Sequence, residues 1–463
     1  MKYLLLTVSL LSTFTHVKSQ TALSEFKIRY EAFINGNITI IGNNIVNRQE
    51  KRNKPNTPFD EQQLTAKVND QLNMQYIDID NDTNTFSSSS AYFSVAEKQN
   101  VKVVYAGLYW VATYPYASGS FNGKKYKPTD LARQNPNNVL IKIPSQENYI
   151  AVQGEAIFDN TEETSLLGIA PYVYYSDVTN LFTGVSSVGE YTIANIRATN
   201  GYIAGGVSAG WALVLVHENP ESSLKKIISY DGFASVSDKE QKITFKGFKT
   251  PSEGTFQTKI IGAALEGDFN MAGDRVLLAT SSNENSLALG HKTRLQRNFF
   301  NSTITDNENI ITTRNPASKN TLGFDIYQLD ISNENQSVIP NNAENLELTF
   351  TKSTDQYYLF LTALQIESIN TNIRITKQAI EGIERGFYVI VGVYSNPNNV
   401  AKQVKKMELL GYKTHTFYNK TNNLTYIYTD KFNTYQEALT QIHKIKSEAD
   451  VPDTWILRIE DSL

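Results

Sequence analysis

Phe387-Tyr388-Val389-Ile390-Val391-Gly392-Val393-Tyr394 is built almost entirely of β-branched and aromatic side chains, the composition of a strand packed on a half-buried sheet. Asn396-Pro397-Asn398-Asn399 ends that strand and opens a helix. Val400, Ala401, Val404, Met407 and Leu410 then recur at helical spacing, and Gly411 stops the helix. Residues 412–418 and 424–429 read as two further strands, joined by the turn residues Asn419-Lys420-Thr421-Asn422-Asn423. Ala438, Leu439, Ile442 and Ile445 give a second helix its apolar stripe, and Trp455-Ile456-Leu457-Arg458-Ile459 is a fourth strand. Strand, helix, strand, strand, helix, strand is a split βαβ unit of ferredoxin-like topology over residues 386–463.

That order resembles the SPOR family. The resemblance rests on Val389-Ile390-Val391-Gly392-Val393-Tyr394, on the Asn399-Val400-Ala401 helix opening, and on Tyr426-Ile427-Tyr428-Thr429-Asp430-Lys431-Phe432 as third strand and exit turn. It implies a small bacterial envelope module; many such domains bind peptidoglycan glycan strands that have lost their stem peptides. A ferredoxin-like sheet has one face under its helices and one open. Alternation sends Phe387, Val389, Val391, Ile427 and Thr429 toward the helices and leaves Tyr388, Ile390, Tyr426 and Tyr428 on the other side. These four are the candidate ligand face, expected as an exposed apolar-aromatic patch. Such rings stack on sugars and equally anchor protein partners; the plain alternative is four ordinary half-exposed strand residues. Typical glycan-binding members carry a polar residue, often Gln, where this chain has Ile390, which tilts the expectation toward a protein ligand.

At the other end, residues 1–19 combine a basic start at Lys2, an apolar run over 4–11 and Val17-Lys18-Ser19 before Gln20. This is the pattern of a secretory signal peptide and is too short for a membrane span. No later stretch is apolar for long enough to cross a bilayer as a helix. The absence of cysteine excludes a disulfide framework, a lipid-attachment cysteine and a thiolate metal site. The formal net charge is −4 with no long basic run, so nucleic acid and anionic membrane surfaces are poor partners. An exported protein is expected, in the periplasm or on the periplasmic side of the outer membrane, with surface display as the alternative.

The body between these ends reads as mostly β. Short apolar runs, among them 36–42, 101–111, 139–143, 191–198, 211–217, 242–248 and 357–366, recur between polar turns, as in antiparallel sandwiches. Its length exceeds one plain sandwich, so two units are expected, 20–235 and 236–368, or one with large insertions. The boundary is placed near 234–241. Residues 62–74 could form a short helix. Residues 369–385 form the linker, where Ile375, Ala379, Ile380 and Ile383 suggest helical spacing.

Several body stretches carry a second resemblance. They are Met74-Gln75-Tyr76-Ile77-Asp78-Ile79-Asp80, Val104-Tyr105-Ala106-Gly107-Leu108-Tyr109-Trp110, Gly210-Trp211-Ala212-Leu213-Val214-Leu215-Val216, Tyr230-Asp231-Gly232-Phe233, Phe299-Phe300-Asn301-Ser302-Thr303-Ile304 and Asn320-Thr321-Leu322-Gly323-Phe324-Asp325. In this order they resemble the N-terminal domain of Bacteroidota surface adhesins linked to gliding motility and type IX secretion. The resemblance implies a non-enzymatic envelope protein whose partner is an outer-membrane barrel or adhesin protein. The large adhesins continue into repeat arrays and a type IX sorting domain; here the SPOR-like unit takes their place.

Catalytic constellations are sparse. Gly206-Val207-Ser208-Ala209-Gly210 matches G-x-S-x-G, but a nucleophile elbow needs a helix after the serine, and residues 211–216 read as a strand. His217, His291, His415 and His443 lack metal spacing. Asp78, Asp80 and Asp82 alternate in Asp78-Ile79-Asp80-Asn81-Asp82 and suit a structural calcium; the alternative is a solvated acidic turn. No other cofactor is expected. Two functions compete: an envelope scaffold, and a carbohydrate-binding or hydrolytic β protein acting on external glycan. The second requires an aromatic-lined cleft with convergent carboxylates in the body.

Overall fold

The computed structural model describes residues 22–51, 54–63, 65, 67–95, 101–144, 146–160, 166–183, 187–219, 222–237, 239–280, 283–334, 337–354, 356–368, 373–376, 380, 382–433, 437–438, 441–442, 444–445, 451 and 454–459. Residues 1–19, expected as a signal peptide, and Leu439 and His443 lie outside them. The protein is mostly β, with an α+β unit at its C-terminal end.

The longest strand, Ala22–Asn44, belongs to two sheets. Its first part pairs with Leu224–Val236, reaching Asn35↔Leu224; its second part pairs with Ala209–Glu218, from Gly36↔Glu218 to Asn44↔Gly210. At the hand-over a Cβ on Gly36 would stand 2.2 Å from the His217 carbonyl oxygen, so only glycine lets the two backbones pass.

Strand alternation then builds the layers. In Val103–Thr113 and Ala209–Glu218, Leu108, Trp110, Leu213 and Leu215 face one core, while Tyr109, Val111, Val214 and Val216 face a second. In Thr258–Gly267 and Tyr357–Glu367, Ile261, Ala263, Phe360 and Ala363 join that second core, while Ile260, Ala264, Leu359 and Leu364 face a third. Both middle sheets are therefore buried on both faces, and this is why their strands read as near-continuous apolar runs. Outer sheets close the stack, one containing Ser88–Phe93, Gly189–Ala194 and Asn138–Lys142, the other Gln241–Lys246, Asn345–Thr351 and Arg275–Thr280. The body is two β-sandwiches set face to face, four layers around three cores.

Leu224–Val236 runs into the expected boundary near 234–241 and pairs with Tyr357–Glu367, so it is a strand of the second sandwich. Among the described residues of 62–74 the one helical element is the 3-10 turn Asn69–Gln71; Leu72 and Met74 are drawn into the first core, and Met74–Tyr76 is a strand.

The C-terminal sheet has the order Ile373–Thr376, Trp455–Ile459, Gly386–Tyr394, Leu424–Phe432, His415–Asn419. Its last four strands are those of the split βαβ unit, all paired antiparallel. The helix Pro397–Leu409 starts where Asn396 accepts the Asn398 N–H at 2.8 Å and ends at Gly411, whose φ is +83°. Residues 437–438, 441–442 and 444–445 are helical, and Ala438, Ile442 and Ile445 pack with Val389, Val391, Met407, Ile427 and Ile456. Phe33 of the body packs against this helix-side core.

One strand stands where a helical linker was expected. Ile373–Thr376 runs parallel to Trp455–Ile459, from Ile373↔Ile456 to Thr376↔Ile459. Its sequence, Ile-Arg-Ile-Thr, alternates β-branched residues, and the open edge beside the fourth strand satisfies its backbone. Ala379 lies outside the described residues.

Candidate functional site

Tyr388, Ile390, Tyr426 and Tyr428 do meet on the sheet face opposite the helices, within one cluster that also holds Phe417, Leu457 and Ile459. The rings pack on one another. Tyr388 and Tyr428 meet edge to face at 5.1 Å, Phe417 stacks on Tyr426 at 4.9 Å, and Tyr426 meets Trp455 at 6.3 Å. His415 stacks on Tyr428 at 5.4 Å. This is an aromatic platform with polar tips, the chemistry that takes sugar rings.

Its exposure departs from expectation. Tyr388 is 3%, Ile390 0% and Tyr426 9% exposed, and only Tyr428 among the four is half-buried. Two causes are visible. Phe417 and Trp455 wall in Tyr426, whose hydroxyl accepts the Asn422 side-chain amide at 2.8 Å. At the other end of the face Ile380, buried, and Ile383, half-buried, pack into the cluster from the segment before the first strand. Tyr388 donates its hydroxyl to the Glu384 carbonyl at 2.8 Å, and Glu384 pairs with Lys431. Burial, then the neighbouring Tyr428 and Glu384, push the Tyr388 phenol up to about 12, so it remains a donor at physiological pH.

Phe417, Trp455, His415, Leu457 and Ile459 are residues of this face that sequence reasoning did not assign. The signal was present, since the same alternation holds along His415–Asn419 and Trp455–Ile459. A bulge hides part of it. Ile390 pairs with Tyr428 but Gly392 pairs with Ile427, leaving Val391 extra. Past the bulge the faces swap, so Val393 lies with Tyr388 and Ile390 while Tyr394 lies with the helices. Gln403 of the helix donates to the Val391 carbonyl at 2.8 Å and satisfies the group the bulge frees.

In this structure the carboxylates of the acidic stretch accept hydrogen bonds from neighbouring protein groups. Asp78 accepts from Ser88 Oγ at 2.8 Å, Asp80 from Thr85 Oγ1 at 2.9 Å and from Tyr149, and Asp82 from the Asn84 N–H at 2.9 Å. Burial pushes Asp80 up, yet the hydrogen bonds from Tyr149, Thr85 and the Asp82 N–H hold it below its usual range. Asp80 also accepts the Asp82 N–H at 3.2 Å, and burial with the charges of Asp80 and Asp82 raises Asp78, so the three carboxylates lie near one another. Among the described residues no group of three His, Asp or Glu side chains could hold a metal ion.

Ser208 is 0% exposed and is followed by the strand Ala209–Glu218, so no helix dipole or open elbow serves it. Its N–H donates to Thr113 Oγ1 at 3.0 Å. His217 is buried against Phe93, and His291 Nδ1 accepts the N–H groups of Thr293 and Arg294 at 3.2 and 3.3 Å. Among the described residues no helix is long and apolar enough to cross a membrane.

Comparison with known proteins bears on this face. Residues 384–458 match the SPOR domain, an envelope-associated module indicative of peptidoglycan binding. No curated protein matches the chain. Among solved structures, the major capsid protein P2 from bacteriophage PM2 is 10% identical, with 61% of this chain and 99% of that one covered at a TM-score of 0.18. PNGF-II is 9% identical, with 72% and 65% covered at 0.19. Likeness at this level carries neither fold nor function across.

Proposed function

We propose that this protein is a non-enzymatic envelope scaffold. Its C-terminal domain holds peptidoglycan glycan strands, and its β body docks on an outer-membrane or adhesin partner, as the adhesin-like stretches of the body suggest. The observation that carries this reading is a coincidence. The SPOR match at 384–458 contains the aromatic cluster of Tyr388, Phe417, Tyr426, Tyr428 and Trp455 on the helix-free face. Ile390, where glycan binders carry a polar residue, is 0% exposed and sits beneath its neighbours. It therefore takes no part in the contact surface, and the half-buried Tyr428 and Trp455 with the exposed His415 are the groups available to a sugar.

The competing reading, a glycan-acting body, needs carboxylates that reach a cleft. Asp274 and Asp325 are each 0% exposed, Asp274 held by the Phe300 N–H at 2.6 Å and Asp325 by Arg294. Neither is placed to touch substrate. A protein ligand on the C-terminal face remains the outcome to separate from glycan. The test is sedimentation of the full chain with glycan strands freed of stem peptides by an amidase, against strands that keep them. Selective co-sedimentation that falls tenfold or more in Tyr426→Ala/Tyr428→Ala supports the reading. Binding to neither polymer, with envelope extract alone retaining the protein, would replace glycan by a protein partner.

A further inference from the structure

The C-terminal sheet has two edges, and the chain treats them differently. On one edge Ile373–Thr376, from outside the split βαβ unit, is added parallel to Trp455–Ile459, with isoleucine at alternate positions. The other edge, His415–Asn419, pairs with Leu424–Phe432 on its inner side, and among the described residues no strand pairs with its outer side. Alternate residues of such a strand turn their N–H and C=O groups outward, where they template a further strand. His415–Asn419 carries no proline, lysine or bulge, the features that ordinarily guard an open edge.

The helix leaves this edge uncovered. Pro397–Leu409 packs on Gly386–Tyr394 and Leu424–Phe432, and His415–Asn419 stands out beyond it as a shelf. A groove of about 510 Å³ runs between helix and shelf, with Pro397, Val400, Ala401 and Val404 along its wall and Thr414, Thr416 and Thr425 on its floor. The wall residues recur at helical spacing and so form one stripe. His415 and Phe417 belong to the aromatic face, which turns Thr416 between them toward the groove. A strand added to the edge would lay every second side chain along the apolar stripe. The five residues of His415–Asn419 span roughly 16 Å, the reach of about five residues of extended chain.

The charge beside the groove selects the occupant. From Pro397 to Lys420 the sequence has five lysines and one acidic residue, Glu408. Lys405 follows Ala401 by one helical turn on the outer flank, Lys402 lies beyond it, and Lys413 leads into the shelf. All three are exposed, and among the described residues none of them forms an ion pair. We infer that the His415–Asn419 edge and the groove above it are a docking site for an extended acidic segment of a partner protein, taken up as a sixth strand of this sheet. Main-chain hydrogen bonds hold the segment, alternate apolar side chains fill the groove, and its carboxylates answer the lysines. This goes beyond the glycan reading and does not rest on it, because the sugar-binding rings lie on the opposite face of the sheet.

The experiment pans a displayed library of random decapeptides on the full chain and measures the selected peptides by fluorescence anisotropy. Enriched peptides should alternate β-branched or aromatic residues with aspartate or glutamate. Ala401→Trp fills the groove from an exposed helix position and should weaken their binding about tenfold or more. N-methylation of alternate peptide amides, which removes the main-chain donors, should also weaken it by about tenfold. Lys405→Glu/Lys413→Glu changes exposed side chains alone; it should weaken binding several-fold at low salt, with the difference fading at 1 M salt. That variant keeps the comparison open if Ala401→Trp does not melt like wild type. No enrichment over the Ala401→Trp protein, or peptides that tolerate N-methylation, would overturn the proposal. A concentration-dependent dimer that Ala401→Trp abolishes would overturn it in favour of a second copy of the chain. Displacement of the peptides by glycan strands freed of stem peptides would overturn it too, by giving the groove to the glycan. Peptide binding retained by a chain that binds no glycan would support the docking site and overturn the glycan reading alone.

Discussion

Arg294 and Asp325 form an ion pair in the second sandwich, with side chains 1% and 0% exposed; Lys431 and Glu384 form one at the rim of the C-terminal domain, 30% and 83% exposed. The charges are alike and their surroundings are opposite. Arg294 also donates to the carbonyls of Thr303 at 2.8 Å and Ile326 at 3.1 Å, and Asp325 accepts the N–H groups of Asn301, Ser302 and Thr303 at 3.0 to 3.2 Å. Each charge is enclosed by groups that cannot find water instead. This explains the local sequence Phe299-Phe300-Asn301-Ser302-Thr303: a loop that wraps one carboxylate with three consecutive N–H groups. The rim pair has no such enclosure, and losing it returns both partners to solvent. The buried pair cannot separate without stranding a charge, whereas the rim pair can separate into water.

The sharpest way to break this contrast is Arg294→Ala. It strands Asp325 in an apolar interior and should cost about 3–5 kcal/mol in chemical denaturation. A loss below roughly 1 kcal/mol would mean the network is not structural. Replacing both partners with apolar residues of similar volume should recover much of the loss.

A second consequence of burial in the body appears with pH. Burial raises Asp274 to about 7, and the charge of Asp325 adds to the effect against the opposing N–H of Phe300; Asp268 is raised to about 7 as well, by burial and by Asp70 and Asp325. The folded-state value lies above the unfolded value of 3.8. The native protein therefore binds more protons between the two, and stability from these groups is full below pH ~4 and lost as pH rises through ~7. Thermal melts should show the body less stable at pH 8 than at pH 5, by roughly 2–4 kcal/mol for Asp274. Asp274→Asn should flatten the slope and raise the melting temperature at pH 8. An unchanged profile would place the titration elsewhere.

The two regions were also unequally legible. Body strands such as Gly210-Trp211-Ala212-Leu213-Val214-Leu215-Val216 announce themselves because both faces are buried, yet that same uniformity conceals which face meets which core. The division of Ala22–Asn44 between two sheets depends on Gly36 passing His217, a contact 181 positions apart. In the C-terminal domain, alternation placed Tyr388, Ile390, Tyr426 and Tyr428 on one face because period two is local. It could not say what lies above them. Ile380 and Ile383, three apart, share the spacing of a helical stripe and instead flank a glycine turn. Asp78, Asp80 and Asp82 share a side only on a straight strand, and here each carboxylate turns to its own hydrogen-bond partners.

Between these extremes stands Tyr109, fully buried where the two sandwiches meet. Its hydroxyl donates to Asp231 at 3.1 Å, and Asp231 also holds Arg29, whose Nε lies at 2.5 Å. Tyr109→Phe removes one of several donors to that carboxylate. It should cost about 1–2 kcal/mol, less than Arg294→Ala because the charge keeps its main partner. A loss equal to that of Arg294→Ala would show that the junction, not the second sandwich, carries the body's tightest polar network.

The smallest effect on stability should come from the rim. Glu384 is held below its usual range by the hydrogen bond and charge of Lys431, yet its side chain is largely exposed to water. Glu384→Ala should leave the melting temperature unchanged within error at neutral pH, because an exposed pair gives back in side-chain entropy and solvation what it gains in attraction. The same substitution should leave the denaturant midpoint unchanged as well, since each partner regains its hydration when the pair is lost. A melting temperature lowered by several degrees in Glu384→Ala would show that the rim pair belongs to the cooperative core of the domain. The contrast with Arg294 would then be one of degree alone.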